Sequence, residues 1–207
     1  MKIGLVLGSF DPIHIGHINI ASCVLNSGLC DKVLFVVAQH NPWKKEAPAP
    51  FDVRCKMIEA AIKPFGDKCE VCRYEEEFEH PVYSYISIGK AIEEHPNDEL
   101  FLIAGTDTIQ HIPHWKNYET HIKDKIEIIE VSRSEDSHLA SNLAFAKKCV
   151  FDEKMNEFKS HYKIYTMRMD ASSTVVRNMI ADGMNPYPYI TQDVLEIIKR
   201  NKLYGSS

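Results

Sequence analysis

A doubly wound, mainly parallel α/β sheet in a single domain is the architecture this sequence predicts. Three observations carry that reading. Short, almost wholly apolar runs recur along the chain, at residues 3–7 (IGLVL), 32–38 (KVLFVVA), 100–104 (LFLIA) and 126–131 (IEIIEV). Runs of that length and composition read as strands buried on both faces, as in parallel sheets. Segments with apolar residues at helical spacing lie between them. The alternation persists through the sequence, which favours βα units over separate blocks of strands and helices.

The elements follow in order. The first strand covers 3–7 and stops at Gly8. Residues 17–25 put Ile18, Ala21, Val24 and Leu25 at helical spacing, and Asn26-Ser27-Gly28 ends that helix. The second strand is 32–38. Residues 51–62 are amphipathic, with Val53, Met57, Ala60 and Ala61 on one side. A third strand is expected at 69–74, a helix at 85–92, and further strands at 100–104 and 126–131. Residues 163–167 make a weaker strand, and helices follow at 174–180 and 191–199. The stretch 132–158 is polar and without a strong period, and reads as a variable insertion or lid.

The chain has 207 residues, enough for one core without disulfides or structural metals. It is 44% hydrophobic and 26% charged, which excludes disordered and low-complexity classes. A net charge of -5 argues against sequence-independent nucleic-acid binding, which needs a broad basic surface. No stretch approaches the ~20 apolar residues of a membrane span. The apolar opening is followed at once by Asp11 and two histidines, unlike a secretory leader. The six cysteines, at 23, 30, 55, 69, 72 and 149, are scattered and read as free thiols of a cytoplasmic protein.

In open α/β sheets, ligands bind beyond the carboxyl ends of the strands. After the first strand comes Gly8-Ser9-Phe10-Asp11-Pro12-Ile13-His14-Ile15-Gly16-His17. Gly8 allows close backbone approach or a positive φ. His14 and His17 sit at the mouth of the first helix, on a shared side if it starts near Ile15. That end also presents unpaired N–H groups and the positive end of the helix dipole, a site suited to polyphosphate. A second junction, Asp170-Ala171-Ser172-Ser173-Thr174-Val175-Val176-Arg177, repeats the logic. Ser172 or Ser173 caps a helix there, and Arg177, one turn in, offers a forked donor for phosphate oxygens.

These strings, HxGH after the first strand and a late SSTxxR, resemble the HxGH nucleotidyltransferase superfamily. The wider pattern is similar to the nicotinate or nicotinamide mononucleotide adenylyltransferases. It adds Asn41-Pro42-Trp43-Lys44, Pro81-Val82-Tyr83-Ser84-Tyr85, Ala104-Gly105-Thr106-Asp107 and His114-Trp115-Lys116-Asn117-Tyr118. The resemblance covers most of the chain. It departs after Tyr85, where Ile86-Ser87-Ile88-Gly89 stands in place of a Thr-rich segment.

The resemblance implies an in-line transfer of the adenylyl group of MgATP to a pyridine mononucleotide, giving a dinucleotide and pyrophosphate in NAD biosynthesis. It implies catalytic roles for His14, His17, Lys44 and Arg177. ATP would lie against Gly8, Ser9, Phe10, Gly16, Gly105, Asp107, Ser172, Ser173 and Thr174. Ser84, Tyr85 and Trp115 would take the mononucleotide, with Trp115 under the ring. Mg²⁺ would be held mainly by the ATP phosphates, with no protein ligands. The partners implied are these two small molecules, with no nucleic acid and no membrane, and a homo-oligomer is left open. The nicotinate form is the expected substrate. A phosphopantetheine acceptor and a non-catalytic nucleotide sensor are the alternative readings.

Other signals carry little. Cys69-Glu70-Val71-Cys72 is half of a zinc pattern with no second pair, and a strand there would turn the two thiols to opposite faces. Glu75-Glu76-Glu77 reads as a solvated run. There is no GxxxxGK[ST] and no GxGxxG.

Overall fold

A computed structural model of the chain describes residues 1–39, 49–78, 82–134, 147–148, 161–167 and 171–206. The strands are β1 (Lys2–Gly8), β2 (Lys32–Val37), β3 (Cys69–Cys72), β4 (Glu99–Gly105), β5 (Glu127–Ser134), β6 (Lys147–Lys148) and β7 (His161–Met167). The helices are α1 (Ile15–Asn26), α2 (Phe51–Ile62), α3 (Ser84–Glu94), the single turn α4 (Thr106–Ile109), α5 (Ser173–Ala181) and α6 (Gln192–Arg200). All seven strands form one sheet in the order β3-β2-β1-β4-β5-β7-β6. Six are parallel, and the two-residue β6 pairs antiparallel with β7 at the edge.

Strand alternation assigns the core. Ile3 and Leu5 of β1 face one side, with Leu34, Val36, Leu102 and Ile128, and are covered by Ile88 and Ala91 of α3 and Ile109 of α4. Val6 faces the other side, with Val33, Phe35 and Ile129, and is covered by Ala21 of α1, Met57 of α2, Val176 of α5 and Ile198 of α6. Both faces are therefore dry, and the strands read as continuous apolar runs for that reason. Cys69 and Cys72 fall into the two different cores. Burial pushes each thiol up to about 11, so neither is poised as a thiolate.

Two expectations change. The buried side of α2 carries Arg54, Met57, Ile58 and Ala61, with Val53 only partly covered, so the stripe is rotated from the expected one. Of the stretch 132–158, residues 132–134 extend β5 and 147–148 form β6. The remainder of that stretch, and the expected insertion with it, lies outside the described residues.

The order places β1 and β4 side by side, with Val6 opposite Ile103. The connection from β1 leads to α1 on one face and that from β4 to α4 on the other. Strand order reverses between them, so the carboxyl ends at Gly8 and Gly105 flank the crevice where such sheets take ligands.

Candidate active site

The loop after β1 is held by Phe10. Its backbone is left-handed, with φ 47°, a conformation that non-glycine residues rarely adopt. Its buried ring meets Phe35 and His17 edge-on, with centroids 5.6 and 5.0 Å away. Gly8 serves this ring: a Cβ there would come within 3.0 Å of it. Of the two roles open to Gly8, the positive φ belongs to Phe10, and the glycine supplies room for its ring.

His14 is the N-cap of α1, and its Nδ1 accepts the Gly16 N–H at 3.1 Å. His17 Nδ1 in turn accepts the His14 N–H at 3.3 Å. The two histidines thus form a reciprocal capping box, a role usually filled by Ser or Thr with Glu. Their rings stack with centroids 3.8 Å apart. Because each Nδ1 is an acceptor, a neutral ring carries its proton on Nε2. The cap therefore fixes the tautomer that donates through Nε2. Gly16 completes the motif, since a Cβ at that position would lie 2.9 Å from His14 Cε1.

The second junction docks on this loop. Ser172 is the N-cap of α5, its Oγ accepting from the Val175 N–H at 3.2 Å. Ser173 Oγ donates instead to the Pro12 carbonyl at 2.9 Å. Arg177 donates through Nη1 to the Asp11 carbonyl at 2.8 Å and through Nη2 to Thr174 Oγ1 at 3.3 Å. The N-termini of α1 and α5 are thereby fastened together, and the positive ends of two helices meet at one place.

A cavity of about 430 Å³ opens at the Gly8–Ser9 start of the same loop, and His14, His17, Ser172, Ser173 and Arg177 are not among its lining residues. Gly8 lines it from the end of β1, Ser9 from the loop that follows, Ser84 from α3, and Trp115 from the segment after α4. Tyr85 is not among its lining residues: it packs with the core around Ile3 and Leu5 and meets His121 edge-on at 5.2 Å. Gly105 is the N-cap of α4 without a side-chain bond, and Asp107 is exposed in the first turn. Thr108 is the α4 residue that reaches the cavity wall. Lys44, with its neighbours Asn41, Pro42 and Trp43, lies outside the described residues, as do Pro81 and Asp170. Among the described residues no group of three His, Cys, Asp or Glu is arranged to hold a metal ion.

Three residues to which the sequence assigned no role, Arg54, Asp11 and Tyr204, support the site. Arg54 of α2 is 1% exposed. Its Nε donates to the Ala49 carbonyl at 2.8 Å, Nη1 to Ser9 at 2.8 Å and Ala38 at 2.7 Å, and Nη2 to Gln39 at 3.1 Å. It ties the ends of β1 and β2 to the entry of α2. Burial draws its pKa down, and the nearby Asp11 charge opposes that shift. Asp11 is buried too, accepting from the Ala49 N–H at 3.1 Å and from the Tyr204 hydroxyl. Burial, and the bond to Asp11, push the Tyr204 hydroxyl well above its ordinary range.

Glu75 overturns the solvated reading of the acidic run. It is 4% exposed and lines the cavity. It accepts the Gln39 N–H at 2.8 Å and the Ser87 hydroxyl at 2.6 Å. Burial pushes its carboxyl up from 4.5, opposed by those two bonds and by the Arg54 charge. Glu76 and Glu77 are the exposed members of the run. Arg54 had a signal: it stands at i, i+3, i+4, i+7 spacing with Met57, Ile58 and Ala61 on a buried stripe. Glu75 had none, since three adjacent glutamates look alike.

Comparison with known proteins bears on the family and the fold. A model of the cytidylyltransferase-like family matches residues 5–179. A probable nicotinate-nucleotide adenylyltransferase of Flavobacterium johnsoniae is 32% identical over 209 residues, covering 99% of each chain. One of Clostridium tetani is 34% identical over 198 residues, covering 95% of this chain and 96% of its own. Among solved structures, the nicotinic acid mononucleotide adenylyltransferase of Plasmodium falciparum complexed with NaAD superposes with a TM-score of 0.77. It covers 100% of this chain and 98% of its own at 19% identity, a likeness that speaks to the fold.

Proposed function

The chain belongs to the cytidylyltransferase-like family, and on that premise we propose that it transfers the adenylyl group of MgATP to nicotinate mononucleotide, releasing pyrophosphate. The curated relatives from Flavobacterium johnsoniae and Clostridium tetani carry the name of that activity. The Plasmodium enzyme, of the same fold, is known with NaAD and with APC bound. The observation that carries the reading is the joining of two helix N-termini by Ser173 and Arg177, on a loop whose start lines a cavity with an indole in its wall.

The mononucleotide phosphate attacks the α-phosphorus of ATP in line. The nucleophile is already an anion, so no general base and no covalent enzyme intermediate are needed. The work of the protein is positioning and charge stabilisation. His14 and His17 donate through Nε2 to the phosphates as charge grows on the departing pyrophosphate. Arg177 keeps its fork oriented through the Asp11 carbonyl and presents its remaining N–H groups to the β- and γ-phosphates, with the N–H groups at Ser172–Thr174 beside it. Lys44 is assigned to the reacting phosphates by its place in the resemblance. The donors here are imidazole, guanidinium and N–H, which suit phosphate oxygens and not a hard cation. Mg²⁺ would therefore be held by the ATP phosphates themselves and would supply charge neutralisation there. Ser84 and Trp115 receive the mononucleotide, and Gly105 and Asp107 the ATP ribose. The same reading sets the reaction in the cytoplasm.

The test is His17→Ala, assayed with MgATP and nicotinate mononucleotide. The expected kcat falls by about 10²–10³, the scale of losing one preorganised donor to developing charge. The melting transition is expected to stay cooperative. A folded variant with unchanged kcat overturns the mechanism, and a wild-type protein that makes no dinucleotide overturns the function.

A further inference from the structure

We infer that Lys116 is the residue that selects the pyridine ring by its carboxylate. The inference rests on the reading above that the cavity takes a pyridine mononucleotide. Lys116 follows Trp115 directly, and both line the 430 Å³ cavity. Among the described lining residues it is the only lysine or arginine. The ring of a nicotinate nucleotide carries a full negative charge, whereas a nicotinamide ring carries a neutral amide. A cation on the wall that receives the ring is the group that tells these two apart.

Three details fit that role. First, no carboxylate lies within salt-bridge distance of the Lys116 ammonium among the described residues. Second, the ammonium is held: Nζ sits 4.3 Å from the centroid of Tyr83, another cavity-lining residue, in a cation–π contact. Some of the side-chain freedom that a lysine loses on binding is thus already lost. Third, the one acid among the described lining residues, Glu75, does not claim it. Its two oxygens accept from Gln39 and Ser87, and its cationic neighbour is Arg54. Lys116 is therefore a specificity-determining residue at the ring, separate from the phosphate machinery of His14, His17 and Arg177.

The experiment compares kcat/KM for nicotinate mononucleotide and nicotinamide mononucleotide in wild type, Lys116→Met and Lys116→Arg, with equilibrium binding of each mononucleotide by calorimetry. Lys116 is exposed, so the variants are expected to melt as wild type does. Lys116→Met is expected to lower the nicotinate-to-nicotinamide ratio at least tenfold, chiefly through KM and binding of the nicotinate form. Lys116→Arg is expected to restore most of the ratio. Equal losses for both mononucleotides would assign Lys116 to their shared phosphate and overturn the inference, as would an unchanged ratio. A wild type that binds both equally also overturns it. A wild type that adenylates neither marks failure of the parent function itself and takes this assignment with it.

Discussion

Arg177 donates to the main-chain carbonyl of Asp11 at 2.8 Å, across 166 residues of sequence. Part of the guanidinium is thereby spent on architecture, and the rest is aimed by it. A lysine has the charge but not the fork, and one ammonium cannot keep the Asp11 carbonyl and reach phosphate in the same geometry. Arg177→Lys is expected to lose about 10²–10³ in kcat/KM, the scale of an oriented donor to developing charge. Steady-state kinetics with MgATP varied checks it, and near-wild-type values would show that charge alone suffices.

Gly16→Ala is expected to cost activity far more than stability. The added Cβ would stand 2.9 Å from His14 Cε1, so the imidazole must swing away from its cap. Displacement of a reacting group by about 1 Å lowers rates on the order of 10²-fold. Activity and the urea midpoint should be measured on the same preparation. A loss of midpoint matching the loss of rate would mean that the helix start, and not the histidine, had failed.

Arg54→Met should do the opposite. It leaves the carbonyls of Ser9, Ala38, Gln39 and Ala49 without the donor that now serves them. At ~1–3 kcal/mol for each buried group left unsatisfied, a loss of about 3 kcal/mol or more in unfolding free energy is expected. Urea unfolding followed by circular dichroism measures it, and a change below about 1 kcal/mol contradicts the role given to Arg54.

Glu75 makes a pH prediction with a definite sign. Its carboxyl is pushed above the ordinary 4.5 by burial. Above pH 4.5 the unfolded chain releases this proton while the folded chain still holds it. Glu75 therefore stabilises the fold fully below that value and loses the contribution as pH rises through the raised one. Glu75→Gln keeps the geometry, its carbonyl accepting from Gln39 and its amide donating to the Ser87 oxygen. The variant's stability relative to wild type is expected to rise as pH climbs above about 4.5 through the raised value, and a flat difference in urea midpoints would refute it. Glu75→Ala, which strands both donors, should cost about 2–4 kcal/mol.

Much of this was legible in the residues. Residues 51–62 were placed to the residue, and 32–38, 100–104 and 126–131 were found, because strands covered on both faces are written as unbroken apolar runs. The two helix starts were legible as local strings, since His14, Gly16 and His17 meet within one helical turn. What could not be read was anything set by contact across the chain. Whether Ser172 or Ser173 caps α5 depends on Pro12, which takes the second hydroxyl. Glu75 differs from Glu76 only through Gln39 and Ser87. Tyr85 leaves the cavity because His121 offers its ring a partner.

The clamp between early and late segments also sets an order of events. Asp11 is held by Tyr204 and Pro12 by Ser173, 193 and 161 residues further on. Contacts of that sequence separation form late, because loop-closure entropy must be met before they return anything. On the proposed function, a nascent chain that has produced only the histidine loop owns half of a phosphate site and none of the fastening that aims it. Ligand affinity is therefore gained only as the fold is completed, and bound nucleotide must in turn hold it complete. At a hundredfold excess over Kd that reciprocal hold amounts to about 2.7 kcal/mol. In a cell rich in ATP, the proposed function would make saturation with substrate part of what keeps the two distant segments together.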